Sequence, residues 1–128
     1  MCLVIDKKQH PFMKGKVTMK TITVYKVLIR RIGYCETPFM LKEVNFQNNQ
    51  CILRSKLEKT DNYTIDIGLH ACTTINEAKS IVCDLRRISV VHAYIYKAEI
   101  PRGSRYFLGC NEDIVSDKLI IKNETIEI

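Results

Sequence analysis

Residues 67–88 read Ile-Gly-Leu-His-Ala-Cys-Thr-Thr-Ile-Asn-Glu-Ala-Lys-Ser-Ile-Val-Cys-Asp-Leu-Arg-Arg-Ile. Thr74 stands three residues before Glu77, the spacing at which a Thr hydroxyl caps one free helix N–H and a Glu reaches back to another. Ile75, Ala78, Val82 and Leu85 follow at three- or four-residue steps, with Ile81 and Ile88 beside them, in one apolar stripe. Arg86 and Arg87 fall in the last turn, where cations suit the helix dipole. The spacing predicts a helix over 75–87 with Ile75, Ala78, Ile81, Val82 and Leu85 turned inward.

On either side of this helix the pattern is that of strands. Residues 21–31, Thr-Ile-Thr-Val-Tyr-Lys-Val-Leu-Ile-Arg-Arg, are rich in β-branched and aromatic side chains. Ile22, Val24 and Leu28 alternate on one side and Tyr25, Val27 and Ile29 on the other, so a central strand buried on both faces is expected. Further strands are expected over 39–46 and 50–57 around Gln47-Asn48-Asn49, over 63–67, and over 90–100. More follow from Arg105 to Leu108, over 114–122, and over 125–128 around Asn123-Glu124. Pro101-Arg102-Gly103-Ser104 reads as a tight turn. The fold class is α+β: a single domain with a mainly antiparallel sheet of about seven strands and one principal helix covering it. Residues 1–20 read as an irregular basic segment interrupted by His10-Pro11 and Gly15, and 21–128 as the α+β domain.

Composition bounds the class of protein. The chain has 128 residues, 46% hydrophobic and 27% charged, close to the globular average and unlike a disordered or collagenous chain. No apolar run approaches the length of a membrane span, and Met-Cys-Leu-Val-Ile precedes its charges rather than following them, the reverse of a signal peptide. A cytoplasmic location with no membrane partner is the expectation. Cys2, Cys35, Cys51, Cys72, Cys83 and Cys110 include no C-x-x-C pair. Six reduced thiols packed as small hydrophobes, with no metal bound, are therefore expected.

The net charge of +6 is uneven: residues 1–31 hold 8 Lys/Arg against a single acid. Such a segment suits nucleic acid through phosphate contacts, or an acidic partner. No named nucleic-acid motif accompanies it.

Three constellations could carry chemistry. In Gly68-Leu69-His70, Gly68 allows a close approach that a side chain would block, and His70 can donate a hydrogen bond or exchange a proton. In Arg102-Gly103-Ser104-Arg105, two guanidinium forks and a hydroxyl flank a glycine, a set suited to phosphate. Glu112, Asp113 and Asp117 form an acidic group suited to acid–base work or a cation. Ser104, His70 or His92, and Asp117 could be written as a triad, but no G-x-S-x-G elbow supports it.

Tyr-Lys-Val-Leu at 25–28, Gly-Leu-His with Thr-x-x-Glu-Ala at 68–78, Ile-Pro-Arg-Gly-Ser-Arg-Tyr at 100–106 and Ser-Asp-Lys-Leu-Ile-Ile at 116–121 share an order. That order resembles a group of small bacteriophage and gut-bacterial proteins to which no activity is attached. The Gly-Leu-His-to-helix segment is also distantly similar to ADP-ribosyltransferase-like domains. That likeness implies NAD as cofactor, with Lys26 and His70 holding the dinucleotide and Glu112 steadying charge at the ribose. Lys26 stands where those domains carry Arg, and no Ser-Thr-Ser follows.

The leading expectation is a small binding protein, a phage accessory factor, that takes an anionic small molecule, a nucleotide or a host protein through His70, Arg102, Ser104 and Arg105, with no cofactor. The alternatives are the NAD-using transferase and a non-specific nucleic-acid binder.

Overall fold

A computed structural model describes residues 3–6, 15–38, 42–59 and 64–127. The central strand forms as its β-branched content predicts, as Ile22–Arg30, and the helix as Ile75–Arg87. Thirteen strands lie among the described residues, against the seven expected. In chain order they are β1 (Leu3–Val4), β2 (Lys16–Val17), β3 (Ile22–Arg30), β4 (Cys35–Glu36), β5 (Glu43–Val44), β6 (Gln50–Arg54) and β7 (Glu58–Lys59). After these come β8 (Thr64–Ile67), β9 (Leu69–Cys72), α1 (Ile75–Arg87), β10 (Ala93–Ile100), β11 (Arg105–Leu108), β12 (Asp113–Ser116) and β13 (Lys118–Ile126). Five of the strands, β1, β2, β4, β5 and β7, are two-residue pieces too short to leave any periodicity. Two of those, β1 and β2, lie in the segment expected to be irregular, where His10-Pro11 falls outside the described residues.

Among the described residues all the strand pairings are antiparallel. One sheet runs β2-β11-β12-β9-β3-β10-β13-β6, with β4 on β3 and β5 on β4; a second runs β1-β8-β7. Asp117 alone separates β12 from β13, yet β9, β3 and β10 lie between those two strands in the sheet. That is satisfied only if the sheet rolls up, so that β12 and β13 form one long strand closing a small barrel with β9, β3 and β10. The backbone at Asp117 fits this closure: its N–H donates to Arg105 O at 3.0 Å and its C=O accepts from Ser55 N at 2.9 Å, so β11 and β6 meet end to end there. At Asn123-Glu124 β13 does not end but runs on to Ile126, and the expected break is reduced to a register shift against β10 between the pairs Ala98↔Ile121 and Tyr96↔Thr125.

Side-chain alternation then sorts the core. Val24, Leu28, Tyr96, Ala98, Ile100, Ile114, Leu119 and Ile121 fill the barrel. The opposite faces of β3 and β10 carry Val27, Ala93 and Ile95, which pack under α1 through Ala78, Val82 and Leu85. Ile75 and Ile81, expected inward, are half-buried at the edges of the stripe. The outer faces of β11 and β12 carry Phe107 and Val115, covered by Leu3 and Ile65 of the second sheet and by Ile5. Gly68 sits at this junction: a Cβ there would come within 2.4 Å of Val115 Cγ2, the close approach its position suggested.

The helix entrance departs from the capping-box expectation. Thr74 caps α1 by accepting from Glu77 N at 3.2 Å, but its hydroxyl donates to Glu112 Oε2 at 3.1 Å. The β11–β12 loop thus supplies a carboxylate at the positive end of the helix dipole. Of the described cysteines, Cys35 and Cys72 are buried and Cys51 half-buried; Cys83 and Cys110 are exposed, so the expectation that all pack as hydrophobes holds for only part of the set. Among the described residues no helix is long and apolar enough to cross a membrane.

Candidate functional site

The residues singled out from the sequence are distributed over three places. Lys26 lies on the barrel-facing side of β3, between Val24 and Leu28, where β9 diverges from β3 after the single pair Tyr25↔Cys72. Its Nζ donates to His70 O at 2.5 Å, filling the gap in the ladder. The residue as a whole is half-buried, but its ammonium end lies inside the barrel, and this burial lowers its pKa to about 8. His70 meets Lys26 only through its carbonyl. The imidazole is on the other side of β9, with Nε2 at 3.2 Å from Asp66 O, and burial holds its pKa below the ordinary value. Glu112 is engaged at the helix cap, with Thr73 N also donating to its carbonyl at 2.8 Å. Lys26 and His70 therefore touch, but their functional groups and the Glu112 carboxylate do not converge.

The Arg102–Arg105 turn is differently engaged. Ser104 is fully buried, and its hydroxyl donates to Pro101 O at 2.6 Å, which fixes the turn rather than facing a ligand. Arg105 N donates to Asp117 Oδ1 at 2.9 Å, and both arginine residues are exposed. The triad drawn from Ser104, a histidine and Asp117 is not assembled: Ser104 bonds to Pro101, Asp117 to Arg105, and His70 to Asp66. The acidic trio is likewise divided, with Asp113 Oδ1 accepting from Asn111 N at 3.2 Å. Among the described residues no three His, Cys, Asp or Glu side chains group as metal ligands would.

A more organised site lies at the mouth of the barrel, where β3 ends and β10 begins. A cavity of about 330 Å3 opens there between Arg30, Arg31, Tyr34, Asn45, Phe46 and Tyr96, with no carboxylate among its described lining residues. Arg30 is held on two sides. Its guanidinium lies 4.2 Å over the Tyr94 ring, and its Nε and Nη2 donate to Tyr96 Oη at 3.3 and 3.2 Å. Phe46 stacks on Tyr96 with ring centroids 5.6 Å apart, and Cys35 Sγ lies 3.6 Å from the same hydroxyl. Burial raises the Tyr96 pKa, Cys35 adds to the rise and Arg30 opposes it. The hydrogen bond to Tyr96 in turn raises the pKa of Arg30.

Arg31 has a carboxylate partner, with Nε 3.0 Å from Glu36 Oε1; among the described residues Arg30 has none within ion-pair distance. A planar cation fixed by aromatic contacts, with donors left over and no counter-charge among the described residues, can bind an oxyanion bidentately without first losing rotamer freedom.

No family model, curated protein or solved structure matches the chain.

Sequence reasoning passed over this cluster. Arg30 and Arg31 read as the polar end of a strand, and Tyr94 and Tyr96 as strand-forming aromatics. The usable signal was Tyr94-x-Tyr96, which puts two hydroxyl-bearing rings on one face of the strand that pairs with Arg30.

Proposed function

We propose that this chain is a binding protein for a small anionic ligand, taken up at the barrel mouth with Arg30 as its principal contact. The observation that supports this reading is the Arg30 guanidinium held over Tyr94 and on Tyr96 Oη at the wall of a cavity whose described lining has no carboxylate. Mouths of β-barrels are frequent ligand sites, and the apolar rings beside the cation suit a ligand with a flat body and a charged group. A nucleoside monophosphate has that chemistry. Arg31 contributes less, because Glu36 offsets its charge.

The expectation centred on Arg102, Ser104, Arg105 and His70 has less support, since the Ser104 hydroxyl and the His70 ring already have partners. For the transferase reading, Lys26 and Glu112 have the same drawback. Of the eight basic residues at 1–31 on which nucleic-acid binding rested, Lys7, Lys8 and Lys14 fall outside the described residues.

Isothermal titration with adenosine monophosphate and with inorganic phosphate tests the proposal. Charge-assisted hydrogen bonds are worth about 1.5–3 kcal/mol, so Arg30→Gln should weaken binding between about tenfold and a hundredfold. Arg30→Lys keeps the charge but not the fork and should recover only part of the loss. Equal affinity in Arg30→Gln and the parent protein would remove the barrel mouth from consideration. Nicotinamide release from NAD that disappears in Glu112→Gln would replace binding with the transferase reading.

A further inference from the structure

The end of the molecule that carries the barrel mouth also exposes large aliphatic side chains at its tips. Ile32 is 100% exposed at the β3–β4 turn, which Arg31 N closes by donating to Tyr34 O at 2.8 Å. Ile88 is 71% exposed at the end of α1, and Val91 is 59% exposed in the segment leading to β10. The β3–β10 ladder brings these segments to one end: Arg30 N donates to His92 O at 2.8 Å, one step beyond the pair Ala93↔Ile29.

Arginines flank the tips. Arg31, Arg86 and Arg87 are exposed; the acids near them are Glu36, paired with Arg31, the exposed Glu43 opposite Glu36 on β5, and Asp84, paired with Arg87 across a solvent-exposed contact. Arg86 Nη2 reaches Ala93 O at 3.4 Å and has no acidic partner among the described residues. Tyr34, 38% exposed, adds an amphipathic ring of the kind found at the headgroup level of bilayers.

Single exposed aliphatic residues are ordinary, and Met19 and Ile52 are others, but at this end three stand on neighbouring turns as convex tips. A protein surface would need matching pockets, and nucleic acid would favour exposed aromatic rings that stack on bases. Isoleucine and valine tips ringed by arginines fit neither as well as they fit a fluid anionic interface. We propose that this end of the barrel docks on an anionic lipid surface. Ile32, Ile88 and Val91 enter the headgroup region, and Arg31, Arg86 and Arg87 meet lipid phosphates. Docking of this kind needs no spanning segment, so the expectation of no membrane partner, which rested on spans alone, does not bear on it. It stands independently of any ligand inside the cavity, although it would turn the barrel mouth toward the membrane.

Vesicle flotation tests it, with phosphatidylcholine alone and with phosphatidylcholine containing phosphatidylglycerol. The protein should float with the anionic vesicles, less so as salt is raised, and not with phosphatidylcholine alone. Ile32→Ser with Ile88→Ser should weaken binding by about tenfold per isoleucine, while thermal unfolding stays unchanged because both side chains are exposed. Arg86→Gln with Arg87→Gln should also weaken it, which provides a second route should the serine variant misfold. The proposal is overturned if the parent protein fails to float with anionic vesicles, or if the folded serine variant floats as well as the parent. It is also overturned if the arginine variant loses affinity for a single-stranded RNA oligonucleotide but not for vesicles.

Discussion

Replacing Leu85 by alanine should lower the unfolding free energy by about 2–5 kcal/mol, a large part of the total for a domain of this size. Leu85 is 5% exposed and joins Ala78 and Val82 of α1 to Val27, Ala93 and Ile95 on the outer face of β3 and β10. The truncation removes buried methyl groups and leaves a cavity between a helix and two strands that are held by the barrel on their other side. Those strands cannot move to fill it without disturbing Val24, Leu28, Tyr96 and Ala98 behind them. The expected result therefore lies well above zero, and urea denaturation measures it. A loss below about 1 kcal/mol would mean that α1 is not clamped to the barrel wall as described.

The second large effect is electrostatic and concerns Lys26. Burial lowers its pKa from 10.5 to about 8, so the folded protein releases this proton before the unfolded chain does. Below pH 8 the lysine is charged in both states, and the folded state bears the cost of a charge inside the barrel. Between about 8 and 10.5 the unfolded chain still holds the proton, so this group's contribution to stability rises with pH; above 10.5 the rise is complete. The size is on the order of 3 kcal/mol. The Cys72 thiol acts in the opposite sense over a higher, overlapping range, because burial pushes it from 9.0 up to about 12 and the unfolded chain ionises first.

The Lys26 term is isolated by comparison with Lys26→Met. That variant leaves His70 O without its donor at every pH but has nothing to titrate at this position. The stability of the parent relative to the variant should climb by about 3 kcal/mol as pH rises through 8 toward 10.5. A difference that stays flat would mean that the Lys26 ammonium is solvated.

How much of this was legible from the chain differs from element to element. The 75–87 helix could be read to the residue, because a cap, an apolar stripe and terminal arginines all agree there. The β3 strand was equally clear, since both of its faces are apolar. The barrel was not legible. Its closure depends on Asp117 joining β12 to β13, and a one-residue bend in an otherwise strand-like run leaves no periodic mark. The run from Ile114 to Lys122 read as one strand, with nothing in it to show that one half pairs with β9 and the other with β10.

The sites divide in the same way. Lys26, His70 and Glu112 stood out because polar residues near glycine and a helix start attract attention. In the fold each has a structural partner: a ladder carbonyl, Asp66 O and the Thr74 cap. Arg30 did not stand out, because its setting comes from Tyr94 and Tyr96, 64 and 66 residues away along the chain, and from Phe46. Long-range register created that arrangement, and local sequence does not encode register.

The most direct test of the anion-binding account is a nuclear magnetic resonance titration with adenosine monophosphate, following the arginine Nε–Hε signals and the backbone amides. The account predicts that the Arg30 Nε–Hε signal and the amides around Tyr34, Asn45 and Phe46 shift together and saturate, while Arg102 and Arg105 stay in place. Shifts centred on Arg102, Arg105 and His70, or no saturable shift at Arg30, would contradict it.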